Sequence, residues 1–282
     1  MNQELVDKGN DDISNLIKRA ITTKQGLLIG RHGTIEFQAM MSEITSEVAA
    51  TLEKNAGIFP QFTASMWATF YKNASLAADG IATGWYEPMA KKEIEFVTKQ
   101  NPKAIQYPLR SLEPYYTKSM PWTTNLEQRR VTVVSSFTET MKKQLTKKSF
   151  IWDDPYILPS NAQWSFVRTF YPPNITNRLG WKFSNWKEAI NDTVEKVIET
   201  RAEIVLIGCG GLAMPIGHEL KRRGVIVIVM GGAIQVLFGI KGERWATHPV
   251  ISKFWNSAWV YPSKDETPDH ANLVEDTCYW KK

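Results

Sequence analysis

The chain has 282 residues, 43% of them hydrophobic, and a formal net charge of +5, which is enough apolar material for a sizeable core and too much for a disordered chain. Its cations are scattered, without the basic block that nucleic acid demands, and the two cysteines, Cys209 and Cys278, exclude a disulfide framework and lack metal-site spacing. No apolar run approaches the roughly 18 residues needed to span a bilayer, and residues 1–8 show no signal-peptide pattern. The expectation is therefore a cytoplasmic protein with no transmembrane segment, whose basic surface suits an anionic small substrate or peripheral contact with an anionic membrane face. The sequons at Asn73, Asn174 and Asn191 matter only in a secreted protein.

Helical spacing of Ile13, Leu16, Ile17 and Ala20 predicts a helix over 12–25, and residues 26–30 read as a short buried strand that delivers Arg31, His32, Gly33, Thr34 and Glu36 to a loop. Helical spacing resumes at Ile35 and runs towards Leu52, with Thr34 in the N-cap position. Further helices are expected over 60–78 and 87–99, on either side of a strand over 80–85 that ends in Trp85 and Tyr86. After Tyr107 a Pro- and Tyr-rich connection through Pro121 and Trp122 reads as a surface excursion. β-branching makes 130–135 a strand, and 138–148 follows as a basic amphipathic helix. Prolines 155, 159, 172 and 173 break the segment 151–183 around a strand-like run over 166–171. Asn185 and Glu188 form a capping-box pattern for a helix to about Thr200, followed by a strand over 203–208, a helix over 212–222 stopped by Gly224, and a strand over 225–230.

Strands alternating with helices imply a Rossmann-like α/β fold, a mostly parallel sheet with helices on both faces, in one domain over 1–282 with an embellished middle. Ligands in such a sheet sit beyond the carboxyl ends of the strands, so the loops after 30, 135, 208 and 230 should converge on the site.

The block 230–245 is the most informative stretch. It places Gly231, Gly232, Gln235, Lys241, Arg244 and Trp245 where an apolar strand should simply stop. Glycines, an amide and cations suit a ligand phosphate, although a tight turn and a core tryptophan explain part of the same composition. Gly208-x-Gly210-x-x-Ala213 formally fits a dinucleotide fingerprint, but the following strand ends in Met230 with no ribose-binding acid. That absence weighs against an NAD enzyme and an S-adenosylmethionine-dependent methyltransferase alike. No P-loop and no G-x-S-x-G elbow occur. The histidines 32, 218, 248 and 270 stand isolated, without metal-ligand spacing. What remains is chemistry on a diphosphate, where cations and backbone donors stabilise developing charge: Arg31, Gly33, Glu36, Gly208, Gly210, Gly211, Gly231, Gly232, Lys241 and Arg244 form the set, with Ser136 at the end of another strand.

Arg31-x-Gly33-x-x-Glu36 resembles the Arg-Phe-Gly-Asp-Gly-Glu segment of the GT-D glycosyltransferases, a family first described as a domain of unknown function. The blocks at 112–116, 121–122, 131–137, 207–211, 231–245 and 275–280 resemble a related group of proteins found with polysaccharide-assembly genes. The resemblance implies a transferase that moves a sugar from a nucleotide-sugar donor, a UDP-sugar first among them, to a glycan or lipid-linked acceptor. It implies donor binding by Arg31, Gly33, Thr34, Glu36, Gly231, Gly232, Gln235, Lys241, Arg244 and Trp245, and Mn²⁺ or Mg²⁺ at an Asp-x-Glu pair. That pair stands here as Thr34-x-Glu36. Glu36 is left as the one candidate metal ligand, with Lys241, Arg244 or Arg31 as the alternative neutraliser of the diphosphate. For the base that accepts the acceptor's proton, the candidates are Glu36, Asp153, Asp154 and Glu243. Two rival readings stand beside it: a methyltransferase or NAD-binding enzyme using residues 208–211, and a non-catalytic nucleotide- or glycan-binding module.

Overall fold

Seven short apolar runs become strands: β1 (Leu27–Arg31), β2 (Gly80–Ala82), β3 (Ile105–Tyr107), β4 (Arg130–Ser135), β5 (Gln163–Arg168), β6 (Ile204–Gly208) and β7 (Ile226–Val229). In the computed structural model, which describes residues 2–172, 175 and 182–282, they form one sheet in the order β3-β2-β1-β7-β6-β4-β5, and every pairing is parallel. The chain moves outward from β1 to β3, restarts at β4, adds β5 on the far flank, and returns through β6 and β7 to close against β1. This is a Rossmann-like α/β fold. The sequon at Asn174 lies outside the described residues.

Period-2 alternation explains why the sheet is covered twice. Leu27, Ile29, Val131, Val133, Leu206 and Ile228 enter one core, while Leu28, Val134, Val205, Ile207, Val227 and Val229 enter the other. The first core is covered by α1 (Gln3–Thr23) and the carboxyl-terminal segment. The second is covered by α2 (Thr34–Met41), α3 (Ser46–Ala56), α4 (Ala64–Leu76) and α5 (Glu87–Gln100) with helices introduced below.

Several elements differ from the sequence reading for identifiable reasons. The helix α1 begins at Gln3, not 12, because the Asn2 side chain accepts from the Glu4 and Leu5 amides. The expected helix from 35 to 52 is two helices, since the Thr45 hydroxyl accepts from the Val48 amide and starts α3 afresh; the N-cap of α2 is Gly33 rather than Thr34. The Pro- and Tyr-rich connection is no surface excursion. It carries α6 (Leu109–Leu112) and buries Leu112, Tyr115, Tyr116, Trp122 and Leu126. Next come α7 (Thr138–Leu145), α8 (Lys148–Ile151), α9 (Trp186–Glu199), α10 (Ala213–Arg222), α11 (Ala233–Leu237), α12 (Glu243–Ala246) and α13 (Ile251–Phe254). The Asn185 side chain caps α9 as expected, accepting from Lys187 and Glu188, and Gly224 at φ +83° ends the turn after α10. The strand β5 is paired over 163–168 rather than 166–171, so Thr169, Phe170 and Tyr171 fall beyond its end. Among the described residues, no helix is long and apolar enough to cross a membrane.

Candidate functional site: a cleft along the carboxyl edge of the sheet

A cleft of about 540 Å³ runs along this edge, lined by residues that follow β2, β1, β7, β6, β4 and β5. Six neighbouring strands at about 4.8 Å spacing give it a length of roughly 24 Å. One wall comes from α2, the end of α3 and Tyr71 of α4; the other comes from Arg244 and a strap of Val274, Glu275, Tyr279 and Trp280.

The charged end lies over β1 and β7. Arg31 leaves the end of β1 with its guanidinium carbon 4.3 Å from the Trp85 ring centroid and its Nε donating to the His32 carbonyl at 3.0 Å. Gly231 also comes close to it: a Cβ there would stand 3.0 Å from Arg31 Nη1, and its φ is +59°. Only glycine satisfies both demands. Trp85 is itself positioned by a buried relay: His32 Nδ1 lies 2.9 Å from Glu93 Oε1, His32 Nε2 meets the Ser75 hydroxyl, and Glu93 Oε2 accepts from the Gly84 amide at 2.8 Å. His32 is thus a satisfied core histidine. Among the described residues Arg31 forms no ion pair, so its charge faces the cleft.

Glu36 folds back over the N-cap of its own helix. A Cβ on Gly33 would come within 1.8 Å of Glu36 Oε2, so a side chain there would displace the carboxyl, and the Gly33 amide donates to the Tyr71 hydroxyl at 3.2 Å. Burial raises the Glu36 carboxyl above the usual carboxylate range; its own amide and the Arg31 charge oppose that shift, and Glu275 adds to it. Across the cleft, Arg244 donates to the Tyr279 hydroxyl at 3.1 Å and pairs with Glu275. Burial pushes the Tyr279 phenol up to about 12. Glu275, Asp276 and Thr277 all have left-handed backbone, at φ +44°, +55° and +67°.

In the middle, the glycines after β6 are spoken for by the protein. A Cβ on Gly208 would meet Ile234 at 2.5 Å and the Gly231 carbonyl at 2.6 Å, one on Gly210 would stand 3.0 Å from the Ala56 carbonyl, and the Gly211 carbonyl accepts from Trp67 Nε1 at 3.0 Å. Gly208 and Gly210 still line the cleft; Gly211 does not. Cys209 lines it too, its thiol pushed up by burial and thus unreactive. At the far end, Ser136 sits over β4 rather than beside the arginines.

Arg31, Gly33, Thr34, Glu36, Gly231, Gly232, Gln235 and Arg244 come together as expected. The others do not join them. Lys241 turns away, with Nζ 5.3 Å from the Trp255 ring centroid. Trp245 is core, packed against Gly232 and Tyr279. Glu243 accepts from the Tyr261 hydroxyl and the Lys282 amide, each at 3.3 Å. Asp153 is exposed, and Asp154 accepts from the Tyr156 amide at 2.8 Å in a turn; all three carboxylates lie outside the cleft lining. Gln235 is buried, and its Nε2 donates to the carbonyls of Lys241 and Tyr279, both at 2.8 Å. Sequence reasoning missed Tyr71, Thr169, Tyr171, Tyr279 and Glu275 as wall residues. The run of acids and aromatics at 275–280 was the available signal for the last two.

Among the described residues the cleft offers a Mn²⁺ or Mg²⁺ one uncommitted carboxylate, Glu36. Such ions take about six oxygen ligands, usually with one or two carboxylates. Here Glu36 stands beside Thr34, Glu275 is committed to Arg244, and among the described residues no three His, Cys, Asp or Glu side chains gather. No protein-family model, curated protein or solved structure matches the chain.

Proposed function

We propose that the cleft binds a nucleotide-sugar, most simply a UDP-sugar, and transfers its sugar to a glycan or lipid-linked acceptor. The observation that carries the reading is Arg31: a guanidinium with no carboxylate partner among the described residues, held over the Trp85 ring and close to Gly231 at the junction of β1 and β7. A planar fork fixed in this way suits two phosphate oxygens. As the bond from the anomeric carbon to the diphosphate breaks, charge grows on the leaving oxygen, and Arg31 with Arg244 stabilises it without reorganising. In an inverting transfer the acceptor hydroxyl oxygen forms the new bond to that carbon, and its proton passes to the Glu36 carboxylate. A carboxyl raised by burial is a better base than an exposed one.

The rival cofactor readings draw less support. The glycines of a dinucleotide fingerprint serve close approach of a pyrophosphate, whereas Gly208, Gly210 and Gly211 here accommodate Ile234, Ala56 and Trp67.

The test is nucleotide release across UDP-, GDP- and TDP-sugars, with and without Mn²⁺, alongside calorimetric titration with S-adenosylmethionine and NAD. Release by the native chain that disappears in Arg31→Ala and Glu36→Gln is the expected result. Binding of S-adenosylmethionine or NAD with no sugar nucleotide bound overturns the proposal, and donor binding without release in any combination assigns a non-catalytic module.

A further inference from the structure

The far end of the cleft is built from different chemistry. Ser135 and Arg168 are the last paired residues of β4 and β5, so Ser136 and Thr169 leave the sheet side by side, with Ser136 Oγ 3.1 Å from Thr169 Oγ1. Tyr171 also reaches Ser136, and its hydroxyl donates to the Glu266 carbonyl at 3.3 Å. The tyrosine proton is therefore used, the Ser136 proton goes to the tyrosine oxygen and the Thr169 proton to Ser136. That leaves oxygen lone pairs to accept from a ligand that donates, as sugar hydroxyls do.

Rings enclose this cluster: Phe137, Phe170 and Trp280 line the same end. Among the described residues, no charged side chain belongs to the lining contributed by the loops after β4 and β5. Lys182 and Lys196 each lie 5.8 Å from the Phe170 ring centroid and Arg168 acts on Tyr171 through space, but among the described residues all three stay outside the lining. Hydroxyl groups beside aromatic faces, with no charged side chain in the lining that the described residues of these loops contribute, suit a ring that presents both hydroxyls and C–H faces. A carboxylate or phosphate there loses hydration and gains no cation.

We infer that the β4–β5 end is a subsite for a neutral sugar ring, with Ser136, Thr169 and Tyr171 as its hydrogen-bonding groups. The inference rests on the nucleotide-sugar reading for the choice between two sources of that ring, the acceptor or the sugar carried by the donor.

The experiment uses saturation-transfer NMR and calorimetry on the full chain, with UDP, UDP-glucose and UDP-galactose, and with methyl glucoside, methyl galactoside and methyl glucuronide added to the UDP-saturated protein. Thr169→Val and Ser136→Ala remove hydroxyls at nearly constant shape, and thermal melting checks that both fold. The expected result is binding of a neutral ring that falls about tenfold in either variant, the loss of one hydrogen bond, while UDP itself changes less than twofold. If the loss appears with methyl glycosides, the ring is the acceptor's; if it appears only as lost affinity of UDP-sugars relative to UDP, the ring is the donor's. Unchanged neutral-ring binding in both variants, preference for methyl glucuronide, or UDP binding with no neutral ring bound from either source overturns the inference. Failure of UDP to bind overturns the donor reading instead, and the methyl glycosides alone then decide the subsite.

Discussion

The loops after β1 and β7 end neighbouring strands and draw on the same residue types, yet they divide the labour unequally. Residues 31–36 send Arg31, Gly33, Thr34 and Glu36 into the cleft, and only His32 turns inward. In 231–245, by contrast, Gly231, Gly232, Ile234, Gln235 and Arg244 line the cleft, and much of the polar wiring clamps the strap: Gln235 holds the Tyr279 carbonyl, the Glu243 amide donates to Trp280 and the Arg244 amide to Cys278. Site-like composition therefore has two sources, direct contact with a ligand and the backbone wiring that holds a distant wall in place. Only the partners of each polar group separate them.

Substitutions can break or sharpen that contrast. The largest effect is expected for Gln235→Leu, which leaves two buried carbonyls without donors and costs about 2–4 kcal/mol; a chemical-denaturation midpoint equal to the native one would remove Gln235 from its clamping role. Arg31→Ala should leave that midpoint nearly unchanged and weaken UDP binding on the order of 100-fold, about 2.7 kcal/mol. A variant that loses stability and keeps UDP would reverse the assignment. Gly33→Ala comes next. Its methyl group evicts the Glu36 carboxyl, and nucleotide release should drop about tenfold while UDP affinity holds; equal losses in both would place Gly33 at the phosphates.

Glu36→Gln gives a smaller, pH-dependent effect. Because the folded carboxyl holds its proton more tightly than the unfolded one, stability is present below the ordinary glutamate range and is lost as pH rises through the raised value. The glutamine variant should therefore melt higher than the native chain at pH 8 by about 2–4 °C, the shift that ~1 kcal/mol makes in a domain of this size, and match it near pH 4. A gap independent of pH would disprove the burial argument. Lys241→Ala is expected to change UDP affinity by less than about 0.5 kcal/mol, since its ammonium faces Trp255; a tenfold loss would return it to the donor site.

Much of the fold was legible in local pattern. β-branched runs marked β4, β6 and β7, the last two closing in glycine, and the Arg31–Glu36 spacing marked one wall. What escaped depends on contacts far apart along the chain. Lys241 and Arg244 sit three positions apart and look interchangeable in sequence, but the Lys241 amide is tied to the Val260 carbonyl at 2.7 Å while Arg244 is held by Tyr279 and Glu275. Gln235 lies in a short helix whose apolar neighbours say nothing about Tyr279. The Pro- and Tyr-rich connection was misread because turn residues signal chain reversal and not exposure: Asn10 of α1 accepts from the Trp122 amide at 2.8 Å and draws the segment inward.

The left-handed turn at 275–277 carries a mechanical consequence. Three successive residues of this kind cost about 1–2 kcal/mol each, whereas a partly exposed pair such as Arg244 and Glu275 returns roughly 0–1 kcal/mol. The ion pair is too weak to hold the turn. The tension is borne by Trp280, whose Nε1 donates to the Glu266 carbonyl at 3.0 Å, and by Glu266, whose carboxylate accepts from the Glu139 amide at 2.7 Å at the start of α7. The rim of the cleft is thus pretensioned from behind, and the charge presented beside Arg244 is set by anchors that no ligand in the charged end touches.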